Sequence, residues 1–109
     1  MDHGFQDAVS IEIALRIKEG LPTHPEWLAL ARENLDRWTE RNRNAPSLLR
    51  CYEEWRKVLA SPVSEICALL TAQTGQGQRL RQNSPFIGIL PPAEVWAIKS
   101  RLRNATPAA

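Results

Sequence analysis

The chain has 109 residues, 43% of them hydrophobic and 24% charged, which suits one globular domain and excludes a disordered segment. A net charge of +2 is too small to imply a nucleic-acid partner by itself. The distribution is less even: residues 1–60 carry nine Lys/Arg against ten Asp/Glu, residues 61–109 carry five against two, and no acid lies between Glu65 and Glu94.

The residues before Asp7 lack a pattern, so 1–6 read as a flexible N-terminus ahead of a single helical domain over 7–103. The first helix is predicted over Asp7 to Glu19, where Val9, Ile13 and Ile17 recur every four residues with Ala14 beside them. Ile11 and Leu15 widen its apolar surface enough to suggest packing against a second subunit. Gly20 is placed to end the helix in a left-handed conformation, and Pro22 prevents its resumption. Thr23-His24-Pro25-Glu26 has the form of a capping box opening a second helix that runs to about Arg41. Trp27, Ala31, Leu35 and Trp38 form its inner stripe, with Glu33–Arg37 and Arg32–Asp36 as outer charge pairs.

A polar connection, Asn42 to Pro46, leads into a third helix to about Ala60, with Leu48, Tyr52, Trp55 and Leu59 inward and Cys51 and Val58 in support. Ser61 as N-cap and Pro62 at the first helical position open a fourth helix to about Ala72, burying Val63, Ile66, Cys67 and Leu70. Thr74-Gly75-Gln76-Gly77 then breaks the helical period, leaving Gln78 to Asn83 room for one short turn. Phe86 to Leu90 is apolar without a period, so an extended segment laid across the helices is expected. Pro92 opens a last helix to about Arg103, with Val95, Ile98 and Leu102 inward and Lys99, Arg101 and Arg103 near its C-terminal end, where the helix dipole favours cations. Residues 104–109 read as a frayed tail. The fold expected is all-α: an irregular bundle of four to five helices with an extended apolar segment docked before the last.

No catalytic or metal motif emerges. His3 and His24 lie in no nucleophile or ligand spacing, and Glu40, Glu53 and Glu54 read as a solvated face. Gly75-x-Gly77 lacks the Lys-Ser/Thr of a phosphate loop. Cys51 and Cys67 both sit inside helical patterns, and two cysteines are few for a small secreted scaffold. Asp2, Gln6 and Asp7 interrupt any signal-like apolar run, and Phe86–Leu90 falls far short of the roughly 20 residues of a membrane span. A cytoplasmic protein with reduced thiols, no cofactor, no metal and no membrane partner is expected. Each tryptophan lies on or beside a helical stripe, which predicts core packing rather than a ligand cage.

Two segments invite a functional reading. Glu65 to Leu70 resembles the first helix of the helix-turn-helix DNA-binding motif. That resemblance implies a turn over Thr71 to Gln73 and groove-facing Gln76, Gln78, Arg79 and Gln82. Thr71 stands where that motif has Gly, and Gly77 where it buries Val or Ile. The run Arg79 to Leu90 mixes arginines, amides and an apolar tail. It reads either as a plug between helices or as a recognition loop, with Arg79, Arg81, Gln82 and Asn83 as polar contacts and Phe86 and Ile87 inserted into a partner. Leu80-Arg81-Gln82-Asn83-Ser84-Pro85-Phe86, with Leu90, Trp96, Leu49-Arg50-Cys51-Tyr52 and Trp55, resembles a segment of short bacterial helical proteins. To that group no activity attaches. The function expected is a non-catalytic protein-binding or adaptor module, such as the neutralising partner of a bacterial two-gene system. The alternative is a DNA-binding regulator using residues 65–82.

Overall fold

Trp55 is fully buried in the core. The structure is a computed structural model that describes residues 3–105, His3 in its backbone alone. Six helices follow in order: α1 (His3–Gly20), α2 (Glu26–Arg41), α3 (Pro46–Leu59), α4 (Val63–Leu70), α5 (Gly75–Arg81) and α6 (Pro92–Ala105), with no strand among the described residues. One core draws on all six, from Ala14 and Ile17 through Leu35, Trp55, Ile66 and Leu80 to Ile98. None of the helices is long and apolar enough to cross a membrane.

The helix α1 packs against α6 on one side and against α4 and α5 on others. Of its apolar surface, Val9, Ala14 and Ile17 are buried and Ile13 packs against the core, while Ile11 and Leu15 are half-buried. Arg16–Glu94 at 3.5 Å and Arg101–Glu12 at 3.0 Å tie its outer face to α6. Pairs this exposed contribute about 0–1 kcal/mol each, so apolar contact holds the two helices together. α1 begins four residues earlier than expected, taking in Gly4, Phe5 and Gln6. At the other end α6 continues through Asn104 to Ala105, and the rest of the expected tail, 106–109, lies outside the described residues, as do Met1 and Asp2.

Several local expectations are corrected. Gly20 closes α1 without a left-handed turn, for Gly88 (φ +83°) alone has positive φ among the described residues. The requirement at Gly20 is space: a Cβ there would lie 2.3 Å from the Trp27 indole. The capping box does not form. Pro25 is the N-cap of α2, the Thr23 hydroxyl donates to the Gly20 carbonyl at 3.1 Å, and the Glu26 carboxylate meets His24 Nδ1 at 3.1 Å. Neither expected charge pair of α2 forms: Arg56 donates to Asp36 at 2.9 Å, Arg32 donates to the Leu59 carbonyl at 3.2 Å, and Arg37 donates to the Asn34 side-chain carbonyl. Pro62, not Ser61, is the N-cap of α4.

The glycine-rich stretch is helical. Thr74 caps α5 by accepting from the Gly77 N–H at 3.1 Å, which offsets the weak helix propensity of the two glycines. Gly77 is buried against the end of α4, where a Cβ would stand 2.4 Å from the Ala72 carbonyl oxygen. The segment after α5 is not extended but folded into consecutive turns over 85–88, closed by Ile87 N–H to the Ser84 carbonyl (3.3 Å) and Ile89 N–H to the Phe86 carbonyl (3.3 Å). Trp96 is corrected as well: on the face of α6 away from α1 it is 69% exposed.

Candidate functional site

The turn segment 84–90 is fixed from two sides. The Trp55 indole N–H donates to the Leu80 carbonyl at 3.0 Å, and its ring meets Phe86 edge-on with centroids 6.2 Å apart. From α2, the Asn34 side-chain amide donates to the Pro85 carbonyl at 2.8 Å and to the Ile87 carbonyl at 3.4 Å. These contacts decide where the apolar run points. Phe86 is 1% exposed and belongs to the core, so its ring is a plug and offers nothing to a partner. Ile87, its neighbour, is 66% exposed.

Beside this segment opens a cleft of about 1120 Å³, bounded by the N-terminal half of α1, the C-terminal end of α2, Tyr52, the end of α5 and the inner face of α6. That volume is slightly above the roughly 300–1,000 Å³ of ligand pockets. Its accessible floor is apolar, formed by the half-buried Phe5, Ile13, Trp38 and Val95, while Val9, Ile17, Leu70, Phe86 and Leu90 lie beneath them in the core. Gln78, Gln82, Asn83 and Ile87 stand along its edge. Among the described lining residues cations predominate, with Arg41, Arg81, Lys99 and Arg103 against Asp7. Arg103 also lies over the Phe5 ring, 5.7 Å from its centroid.

Arg81 is the unusual member. It is a charged residue only 6% exposed, and it has no carboxylate partner among the described residues. Its Nη1 donates to the carbonyls of Leu70 (3.2 Å) and Ala72 (2.6 Å), where the negative end of α4 compensates a buried cation. Its Nε is buried with no hydrogen-bond partner.

The expected polar contacts therefore separate. Arg81, Gln82, Asn83 and Ile87 share the cleft, whereas Arg79 turns to α3 and grips Glu54 with two bonds of 3.0 Å. Gln76 joins it at 3.2 Å. The Arg79 and Gln76 bonds hold the Glu54 carboxyl below the usual carboxylate range. Of the groove-facing set implied by helix-turn-helix resemblance, Gln76 and Arg79 are thus occupied by an acid, while Gln78 and Gln82 border the cleft. Both cysteines are free and buried, and desolvation pushes their thiols up, away from the reactive thiolate. His24 stacks on Trp27 with centroids 4.8 Å apart. Among the described residues no group of His, Cys, Asp or Glu is arranged to hold a metal.

Sequence reasoning missed Trp38, Arg41, Lys99 and Arg103. A signal for the last two existed: Val95, Lys99 and Arg103 recur every four residues along one face of α6, yet the favourable helix-end position of the cations already accounted for them. Nothing matches the chain among family models, curated proteins or solved structures.

Proposed function

We propose that the chain is a non-catalytic binding module of the cytoplasm that takes a segment of a partner protein in the cleft beside residues 84–90. The observation that carries this reading is the cleft: an apolar floor set in a cationic wall, with an exposed Ile87 at its edge. A few polar groups around an apolar hollow are the general form of a recognition site. The raised thiols and the engaged His24 add no nucleophile to it. An adaptor, or the neutralising member of a bacterial two-gene pair, needs no more than this.

The competing reading is DNA binding through α4 and α5. Its support is the pairing of two short helices across the turn 71–74. Against it, α5 has seven residues, and Glu54 occupies the guanidinium that phosphate would need. Ile87→Asp separates the two. The protein reading expects the folded variant to lose a partner that the wild-type chain retains from a bacterial lysate, with no retardation of duplex DNA at low salt. Retention of the partner by the variant, or retardation that falls steeply with salt, contradicts it.

A further inference from the structure

We infer that the cleft is built for an acidic amphipathic peptide segment, whose carboxylates meet Arg81, Arg41, Lys99 and Arg103 while its apolar side chains cover the floor. This rests on the protein-binding reading and adds the chemistry of the partner.

Two independent observations point the same way. The first is charge. Over the whole chain Lys and Arg exceed Asp and Glu by only 14 to 12, yet among the described residues the cleft gathers four cations around one acid. Arg41 and Lys99 have no ion-pair partner among the described residues, although acids elsewhere on the surface are paired with Arg16, Arg43, Arg56, Arg79 and Arg101. Arg41 and Lys99 are thus open to a carboxylate from outside the chain. The second is the state of Arg81. Its Nη1 is satisfied by carbonyls of the α4 end, and its Nε is not satisfied at all. Nε and Nη2 form the side edge of a guanidinium, the edge that grips a carboxylate with two parallel bonds. A buried polar hydrogen without an acceptor is costly in a folded chain, and an incoming carboxylate completes it.

The occupant is set by these features together. A bare anion leaves Ile13, Trp38, Val95 and the exposed Ile87 uncovered, and a purely apolar segment leaves Arg81 incomplete. A volume of about 1120 Å³ also exceeds what a single small carboxylate fills. An amphipathic helix or turn with Glu or Asp flanking Leu or Phe meets both needs, as in helix-in-groove recognition.

The test uses the full chain and three fluorescein-labelled peptides of equal length: one with Leu on one helical face and Glu on the other, one with Lys replacing Glu, and one scrambled. Anisotropy is expected to show saturable binding of the Glu peptide that weakens with added salt, and about tenfold or greater weaker binding of the Lys and scrambled peptides. The double variant Lys99→Glu/Arg103→Glu, both exposed and not needed by the core, should reverse the preference towards the Lys peptide. The Arg81 Nε–H resonance should shift on adding the Glu peptide and stay in place with the Lys peptide. Equal binding of all three peptides, no binding of any, an unmoved Arg81 signal, or displacement of the Glu peptide by duplex DNA overturns the inference. So does saturation of the cleft by a second copy of this chain, read as a dimer in sedimentation. A partner that is retained by wild type, lost on Ile87→Asp and still retained by the double variant would leave the protein-binding reading standing and defeat the acidic chemistry alone. Absence of any such partner would defeat the reading beneath it.

Discussion

Two residues show how single groups set this site. Trp55 combines apolar volume with one donor, and the donor is spent on the Leu80 carbonyl at the end of α5. Trp55→Phe keeps much of the ring and removes the donor, while the Leu80 carbonyl still accepts from the Asn83 N–H at 3.1 Å, so the lost bond is expected to cost about 0.5–1.5 kcal/mol in urea denaturation. Loss of less than that range would mean the bond does not organise the segment. Gly77 lies in a helix, where alanine normally gains up to about 1 kcal/mol. Here the added Cβ meets a backbone oxygen at 2.4 Å, and forced overpacking costs about 1–3 kcal/mol. Gly77→Ala is therefore expected to destabilise, and a raised thermal midpoint would show that α5 can move away from Ala72.

At the scale of elements, the α3–α5 contact rests on Glu54 with Arg79 and Gln76. Because Arg79 and then Gln76 hold the Glu54 carboxyl low, the contribution is complete above the unfolded carboxylate value of about 4.3 and is lost as pH falls through the lower folded value. Glu54→Gln should consequently show a shallower fall of denaturation midpoint between about pH 5 and 3 than wild type, with Glu26, also held low, supplying part of what remains. Equal slopes would contradict this. The four longest helices were legible in the sequence because their stripes are regular: the inner face of α3 is Tyr52, Trp55 and Leu59 with Cys51, as its spacing predicts. Caps were less legible. Thr23 and Glu26 have the residue types of a capping box, but Gly20 and His24 compete for the same side chains. The residues after Ala72 were misread for a related reason. Gly75 and Gly77 look like helix breakers until Thr74 caps them and Ala72 demands the missing side chain.

For the whole molecule, the cleft is a product of tertiary assembly, which is why it was only partly visible in the sequence. Gln82, Asn83 and Ile87 belong to a local run with an unusual composition and could be picked out as candidates. Arg41 and Arg103 stand 62 residues apart in the chain on different helices, and no local pattern joins them. Phe86 was the pivot, since an outward ring would have made the run itself the binding surface. With the ring packed against Trp55, the working surface moves to the hollow that the run encloses with α1, α2 and α6. The central claim is that this hollow meets a protein partner. Site-specific photocrosslinking tests it most directly, with the reactive group at Ile87 and, as control, at the exposed Ser64 on α4, which is not among the cleft residues. The expected result is one defined adduct from position 87, abolished by excess unlabelled protein, and none from position 64. Adducts from neither position, or the same adducts from both, would contradict the account.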